Sequence, residues 1–195
     1  MTKLELPQVD AATPIEELDA AVATVLVPHA EGGLIQLVGD ASDLTDQEPL
    51  YAAAAAVIGT GLVMQDERTV RAGTRVLAAH LLATALRGVV KRLVNRTRPD
   101  AAAKRGEYEF APGERFESDF NSFPSGHTAG AVAAARALGR HYPGSHHAWF
   151  GLAAVASIAQ VIRSKHYVTD VAAGAAIGLV AEEAVHLLLC RAERI

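Results

Sequence analysis

The chain has 195 residues, with 18 Lys and Arg against 22 Asp and Glu, so its formal charge of -4 provides no overall basic field to hold nucleic acid. Half of the residues are apolar and only 5% are aromatic, which leaves Ala, Val and Leu to carry the hydrophobic content, as they do in helices. The single cysteine, Cys190, excludes an internal disulfide and a cysteine-based metal site.

A length of this order buries one core, so a single domain over 1–195 is expected, with an N-terminal helix and loop over 1–49 and a helical bundle over 50–195. The opening residues lack the charged start, apolar stretch and small-residue cleavage site of a secretory signal, and export as a soluble protein is not expected. Thr13, Pro14 and Glu16 form a capping box with proline at the first helical position, which predicts a helix from 14 to about 27, where Pro28 stops it. Residues 28–48 read as loop or short helix. Helices are then expected from 50 to 64 and, after a charged turn over 65–72, from 74 to beyond 91. A polar loop follows over 100–122. The last three helices are expected over 125–140, 148–163 and 168–192, with Tyr142, Pro143 and Gly144 forming a turn between the first two of them. Gly174 and Gly178, four apart on the last helix, allow another backbone to approach closely.

A membrane-spanning helix wants roughly 20 mostly apolar residues. Residues 50–64, 74–90, 147–162 and 171–189 approach this, although some are short and others carry charge. An integral, multi-pass membrane protein is the expectation. Its competitor is a soluble bundle of closely packed alanine-rich helices.

The chemistry concentrates in three clusters. The first runs from Lys91 to Pro99, the second from Phe123 to His127, and the third from Arg163 to Asp170. If consecutive helices run up and down, as short connections favour, all three gather at one end of the bundle. Lys91 and Arg98 are seven residues apart, so on one helix both cations face the same side and suit an anion. Pro124, Ser125, Gly126 and His127 open a helix, whose free amides favour phosphate; Gly126 permits close approach and the Ser125 hydroxyl adds a donor. His166 and Asp170 are four apart, close enough for the carboxylate to hold one ring nitrogen and leave the other as a nucleophile. Taken singly, these are ordinary helix-end cations, a cap and a surface pair. Their conjunction is what points to a site. His146 and His147 adjoin a turn, and His29, His80, His141 and His186 have no partners at metal-ligand spacing, so no metal site is assigned.

Lysine, six residues and Arg-Pro, then Pro-Ser-Gly-His, then histidine, three residues and aspartate, resembles the three-part signature of the type 2 phosphatidic acid phosphatases, relatives of vanadium haloperoxidases and bacterial acid phosphatases. The match spans residues 91–170. The resemblance implies an all-α antiparallel helical bundle and a phosphatase that needs no metal or other cofactor and acts on a lipid phosphate through a phosphohistidine. It makes His166 the nucleophile, Asp170 its orienting partner, and His127 the acid and then the base. Lys91, Arg98, Ser125 and Gly126 become the phosphate clamp. One neutral and one protonated histidine then imply a bell-shaped pH profile. One position departs: an arginine is usual six residues before the third-cluster histidine, and here that residue is Gln160. Arg163, about one turn later, is the expected substitute. A vanadate-dependent haloperoxidase, or a catalytically weak anion-binding membrane protein, is the alternative reading. Substrate identity and oligomeric state are not encoded in these motifs.

Overall fold

The computed structural model describes residues 13–30, 33, 35, 40, 43–113, 115 and 117–192. Of the stretch expected to be loop or short helix between 28 and 48, residues 31, 32, 34, 36–39, 41 and 42 lie outside the described residues, and short 3-10 turns form at Val27–His29 and Asp43–Thr45. Helix α1 (Pro14–Leu26) begins as its capping box requires: the Thr13 side chain accepts the Glu16 amide, and Pro14 stands at the first helical position. Helix α2 (Gln47–Val63) is capped by Asp46, and α3 (Glu67–Leu93) by Asp66, whose carboxylate accepts the Arg68 amide at 3.0 Å. That cap shortens the expected turn and starts α3 seven residues before the predicted position.

The expected single helix carrying both Lys91 and Arg98 is not what forms. Helix α3 ends at Leu93, and β1 (Val94–Arg96) pairs antiparallel with β2 (Phe110–Pro112), Asn95 standing opposite Ala111. Val94 is β-branched and extended at φ -138°, and the two short strands satisfy each other's backbone. Pro99 starts a new helix. Helix α4 (Pro99–Arg105) stops at Gly106, whose φ of 71° is the left-handed conformation glycine adopts at no steric cost. The expected polar loop therefore contains a helix and a strand.

The remaining elements are α5 (Gly126–His141), α6 (His146–Ile162) and α7 (Val168–Ala192). Alanines let them approach closely. Ala79 and Ala83 of α3 pack against Ala129 and Ala133 of α5 and against Ala181 and Val185 of α7. Ala131, Val132 and Ala135 of α5 meet Ala153 and Ala156 of α6. Gly178 faces the interface of α7 with α5, where an added Cβ would lie 2.5 Å from the Ala129 carbonyl oxygen, and one on Gly174 would strike the Ser125 carbonyl. Each glycine thus sets how deeply α7 seats against α5. The molecule is an all-α bundle with one small two-stranded ribbon beside its functional end.

Candidate active site

The three clusters meet at the end of the bundle where α3 finishes and α5 and α7 begin. Their backbones are stitched together. The Ser122 amide donates to the Arg96 carbonyl at 3.0 Å, the Ser125 amide to the Asp170 carbonyl at 3.0 Å, and the Asp100 amide to the Ser164 carbonyl at 3.0 Å. After α6 the Gln160 carbonyl accepts the Lys165 and His166 amides, and Ser164 takes a left-handed φ of 55°. This tight reversal turns His166 back into the bundle.

His166 is buried, and its Nδ1 lies 2.8 Å from the Ser122 carbonyl oxygen. A carbonyl only accepts, so Nδ1 carries the proton and Nε2 keeps the lone pair. The Asp170 carboxylate, expected to be the orienting partner, stands farther off at 3.7 Å from Nδ1. Its oxygens are taken elsewhere: Oδ1 by Arg96 at 2.7 Å, and Oδ2 by the Ser122 hydroxyl at 2.5 Å and the Tyr167 amide at 2.8 Å. His166 lies two residues before α7 begins, so the four-residue spacing does not act as a helical pair; the carbonyl fixes the tautomer and the carboxylate supplies charge nearby. Burial pushes the His166 imidazole below its ordinary 6.5, with Asp170 opposing, so the ring is neutral in neutral solution.

Around His166 stand the cations of the first cluster. Lys91 Nζ donates to the Asn121 carbonyl at 2.8 Å and Arg98 Nε to the Ser118 carbonyl at 2.9 Å. Among the described residues neither has a carboxylate within ion-pair distance. Burial, and then the charges of Arg87 and Arg98, bring the Lys91 ammonium down to about 7. The Arg98 charge opposes protonation of both His127 and His166. The second cluster opens α5: the Ser125 hydroxyl is its N-cap, accepting the Thr128 hydroxyl at 3.1 Å, which leaves its own proton available. His127 Nε2 is buried with no hydrogen-bond partner, and the Asp43 carboxylate is 3.5 Å away. Burial lowers the His127 pKa, while Asp46 and Asp43 oppose. Arg163 lies at this rim, but its Nη1 is bound to Asp43 at 2.7 Å.

Such an arrangement has the charge to hold an anion beside a neutral imidazole and a second imidazole whose Nε2 has no hydrogen-bond partner. The profile of the PAP2 superfamily matches residues 72–192, which include all three clusters. The chain belongs to the PAP2 superfamily. It is similar to Lipid A 1-phosphatase of Rhizobium johnstonii, with 40% identity over 95 residues, 48% of this chain and 38% of that protein. It is also similar to Lipid A 1-phosphatase of Porphyromonas gingivalis, with 37% identity over 83 residues, 40% of this chain and 18% of that protein. The matches thus span less than half the length of these relatives. In solved structures, the fold aligns with the crystal structure of Aquifex aeolicus LpxE at a TM-score of 0.65, over 91% of this chain and 97% of that one, at 20% identity. That is a likeness of fold, and it agrees with the helical bundle expected of a PAP2 member.

Sequence reasoning missed four residues that build this region. Arg96 is 1% exposed, bound by Asp170 and by Asp19 of α1 at 2.8 Å, and stacked 4.1 Å from the centre of the Tyr167 ring. Asp19 also accepts the Thr169 amide at 3.1 Å, so α1 belongs to the scaffold of the third cluster. Ser122 holds both His166 and Asp170. Arg87, one turn before Lys91, points at the start of α5. Only Arg87 left a signal, its spacing of four from Lys91; the others are long-range pairings with no local pattern.

Proposed function

We propose that this PAP2 protein is a phosphatase that hydrolyses a lipid phosphomonoester or pyrophosphate through a phosphohistidine on His166. The observation that carries the reading is the His166 ring, held by the Ser122 carbonyl with its Nε2 lone pair free, among Lys91 and Arg98. In the proposed reaction Lys91, Arg98, the Ser125 hydroxyl and the amides at Gly126 hold the phosphoryl oxygens, where the transition state gathers charge. Nε2 attacks phosphorus in line: an N–P bond forms as the bond to the alkoxy oxygen breaks. His127 gives that oxygen a proton, then takes one from the water that cleaves the N–P bond, releasing inorganic phosphate. Asp170 stabilises the imidazolium by charge at 3.7 Å. The positive charge this chemistry requires is supplied by side chains, and no metal is assigned a role.

Lipid is the proposed carrier of the phosphate because the bundle exterior is apolar. Leu81 and Val89 of α3, Leu152, Val155 and Ile158 of α6, and Val180, Leu187 and Leu188 of α7 are all exposed. Among the described residues one helix, α7, is long and apolar enough to cross a membrane. In the proposed placement residues 147–162, 171–189 and all but the last turn of 74–90 lie at membrane depth, and the phosphate site stands at their ends. Glu182 then lies inside the bundle, fully buried and paired with Arg75, Arg136 and Arg140, as an ionised group at that depth requires. The names of the matched relatives favour a lipid A 1-phosphate. The test is extraction in detergent, followed by phosphate release from a panel holding a lipid A 1-phosphate, phosphatidate, a prenyl pyrophosphate and p-nitrophenyl phosphate. Release from a lipid monoester at a rate well above that from the soluble ester is expected; no release from any of the four contradicts the reading.

A further inference from the structure

The first and second clusters leave one guanidinium without an assigned task. Arg87 stands one helical turn before Lys91 on α3, so the two side chains share a face. A Cβ added to Gly126 would collide with an Arg87 Nη1 and lie 2.9 Å from its Cζ, so the guanidinium occupies the space directly over the first residue of α5. Its Nε is buried with no hydrogen-bond partner. Among the described residues no carboxylate lies within ion-pair distance of it. The other arginines near the site are already committed. Arg96 is shared between Asp170 and Asp19, Arg163 is bound to Asp43, and Arg98 spends its Nε on the Ser118 carbonyl.

A half-buried guanidinium whose buried Nε has no partner, aimed at a helix start whose free amides also point outward, lacks an anion. We propose that Arg87 is a phosphate-binding residue of this site, supplying the planar, multi-donor cation that Gln160 cannot and that Asp43 withholds from Arg163. The inference rests on the phosphatase reading for the identity of the anion. It also gives Gly126 a role: a side chain there would push the guanidinium aside. Lysine and arginine differ at such a position, since only arginine presents a fork to two phosphoryl oxygens at once.

Binding of inorganic phosphate to the full chain in detergent micelles tests this, measured by calorimetry alongside thermal unfolding and turnover of p-nitrophenyl phosphate. Arg87→Met is expected to weaken phosphate binding about tenfold or more with an unchanged unfolding temperature, and Arg87→Lys by a smaller factor. Gly126→Ala, which displaces the guanidinium, should weaken binding in the native background and by less than about twofold in the Arg87→Met background. Phosphate binding by Arg87→Met within about threefold of the unaltered chain overturns the proposal. So does additive loss in the double variant. Should Arg87→Met fail to fold, Arg87→Lys decides, and binding equal to that of the unaltered chain rejects the assignment. Phosphate bound through Arg87 with no turnover would leave this inference standing and remove the phosphatase reading. Turnover with Arg87-independent binding does the reverse, and an unaltered chain that binds no phosphate removes both.

Discussion

The two halves of α3 end in arginine clusters of opposite character. Near its start, Arg75 donates to Glu182 at 2.8 Å, and Arg136 and Arg140 of α5 converge on Glu182 and Glu183 of α7. Every one of those arginines has a carboxylate. About 24 Å farther along the helix axis, by its rise per residue, Lys91 and its neighbours are arranged the other way. Arg96 is locked between two acids, but Lys91 and Arg98 hold only backbone carbonyls and Arg87 keeps a buried nitrogen unpaired. A saturated cation is a strut. A half-buried cation without an acid is, in the proposed reading, one half of an ion pair whose other half comes from outside, and that difference, more than the count of arginines, separates the site from the scaffold.

The largest effect expected from breaking the comparison is at the reacting group. His166→Ala is predicted to lower turnover by about 10^4-fold or more, with the fold retained by circular dichroism. At the saturated end the loss falls on stability instead. Glu182→Ala leaves three arginines around an empty, buried position and is expected to cost about 3–5 kcal/mol in unfolding free energy, with phosphate affinity of the folded fraction unchanged. Weakened phosphate binding in that variant would dissolve the distinction between the two ends. Arg98→Met should reverse the pattern, lowering kcat/KM by about 10^2- to 10^3-fold with little change in unfolding.

A subtler consequence concerns pH. His166 must be neutral to attack, and burial holds its pKa below 6.5, so kcat/KM is predicted to rise with pH through that range. His127 must bring a proton from a pKa that is also depressed, and Lys91 loses its charge near 7, so the rate falls again on the alkaline side. A bell with its optimum below pH 7 is expected for the free enzyme. A plateau extending beyond pH 8 contradicts these assignments. The smallest effect belongs to Arg163→Ala: its guanidinium is held by Asp43, and a loss of less than about threefold in kcat/KM is predicted.

Much of this was legible in the sequence, and the parts that were not share a physical cause. The capping box at Thr13, the existence of the alanine-rich helices and the limits of α7 follow from local propensity and periodicity, and the first and last stand where those signals put them. The three clusters were readable because short connections force antiparallel neighbours. The break after Leu93 was not, because β1 exists only through its pairing with β2, sixteen residues away in register at Asn95 and Ala111. The same holds for His166. Its spacing to Asp170 promised a helical pair, whereas its Nδ1 is taken by a carbonyl 44 residues distant in the chain. Asp19, 77 residues from Arg96, carried no sign in α1 that it would buttress the third cluster. Local chemistry announces what a side chain offers; which partner accepts the offer is settled by tertiary packing.

The central claim is that phosphorus passes through His166. Its most direct measurement is a rapid quench of the His127→Ala chain with radiolabelled p-nitrophenyl phosphate, whose leaving group needs no proton, so that the intermediate forms but is cleaved slowly. The account predicts an acid-labile, alkali-stable label on the peptide that contains His166, absent when His166 is also replaced by alanine. A label on any other residue, or steady turnover in the doubly substituted chain, contradicts it.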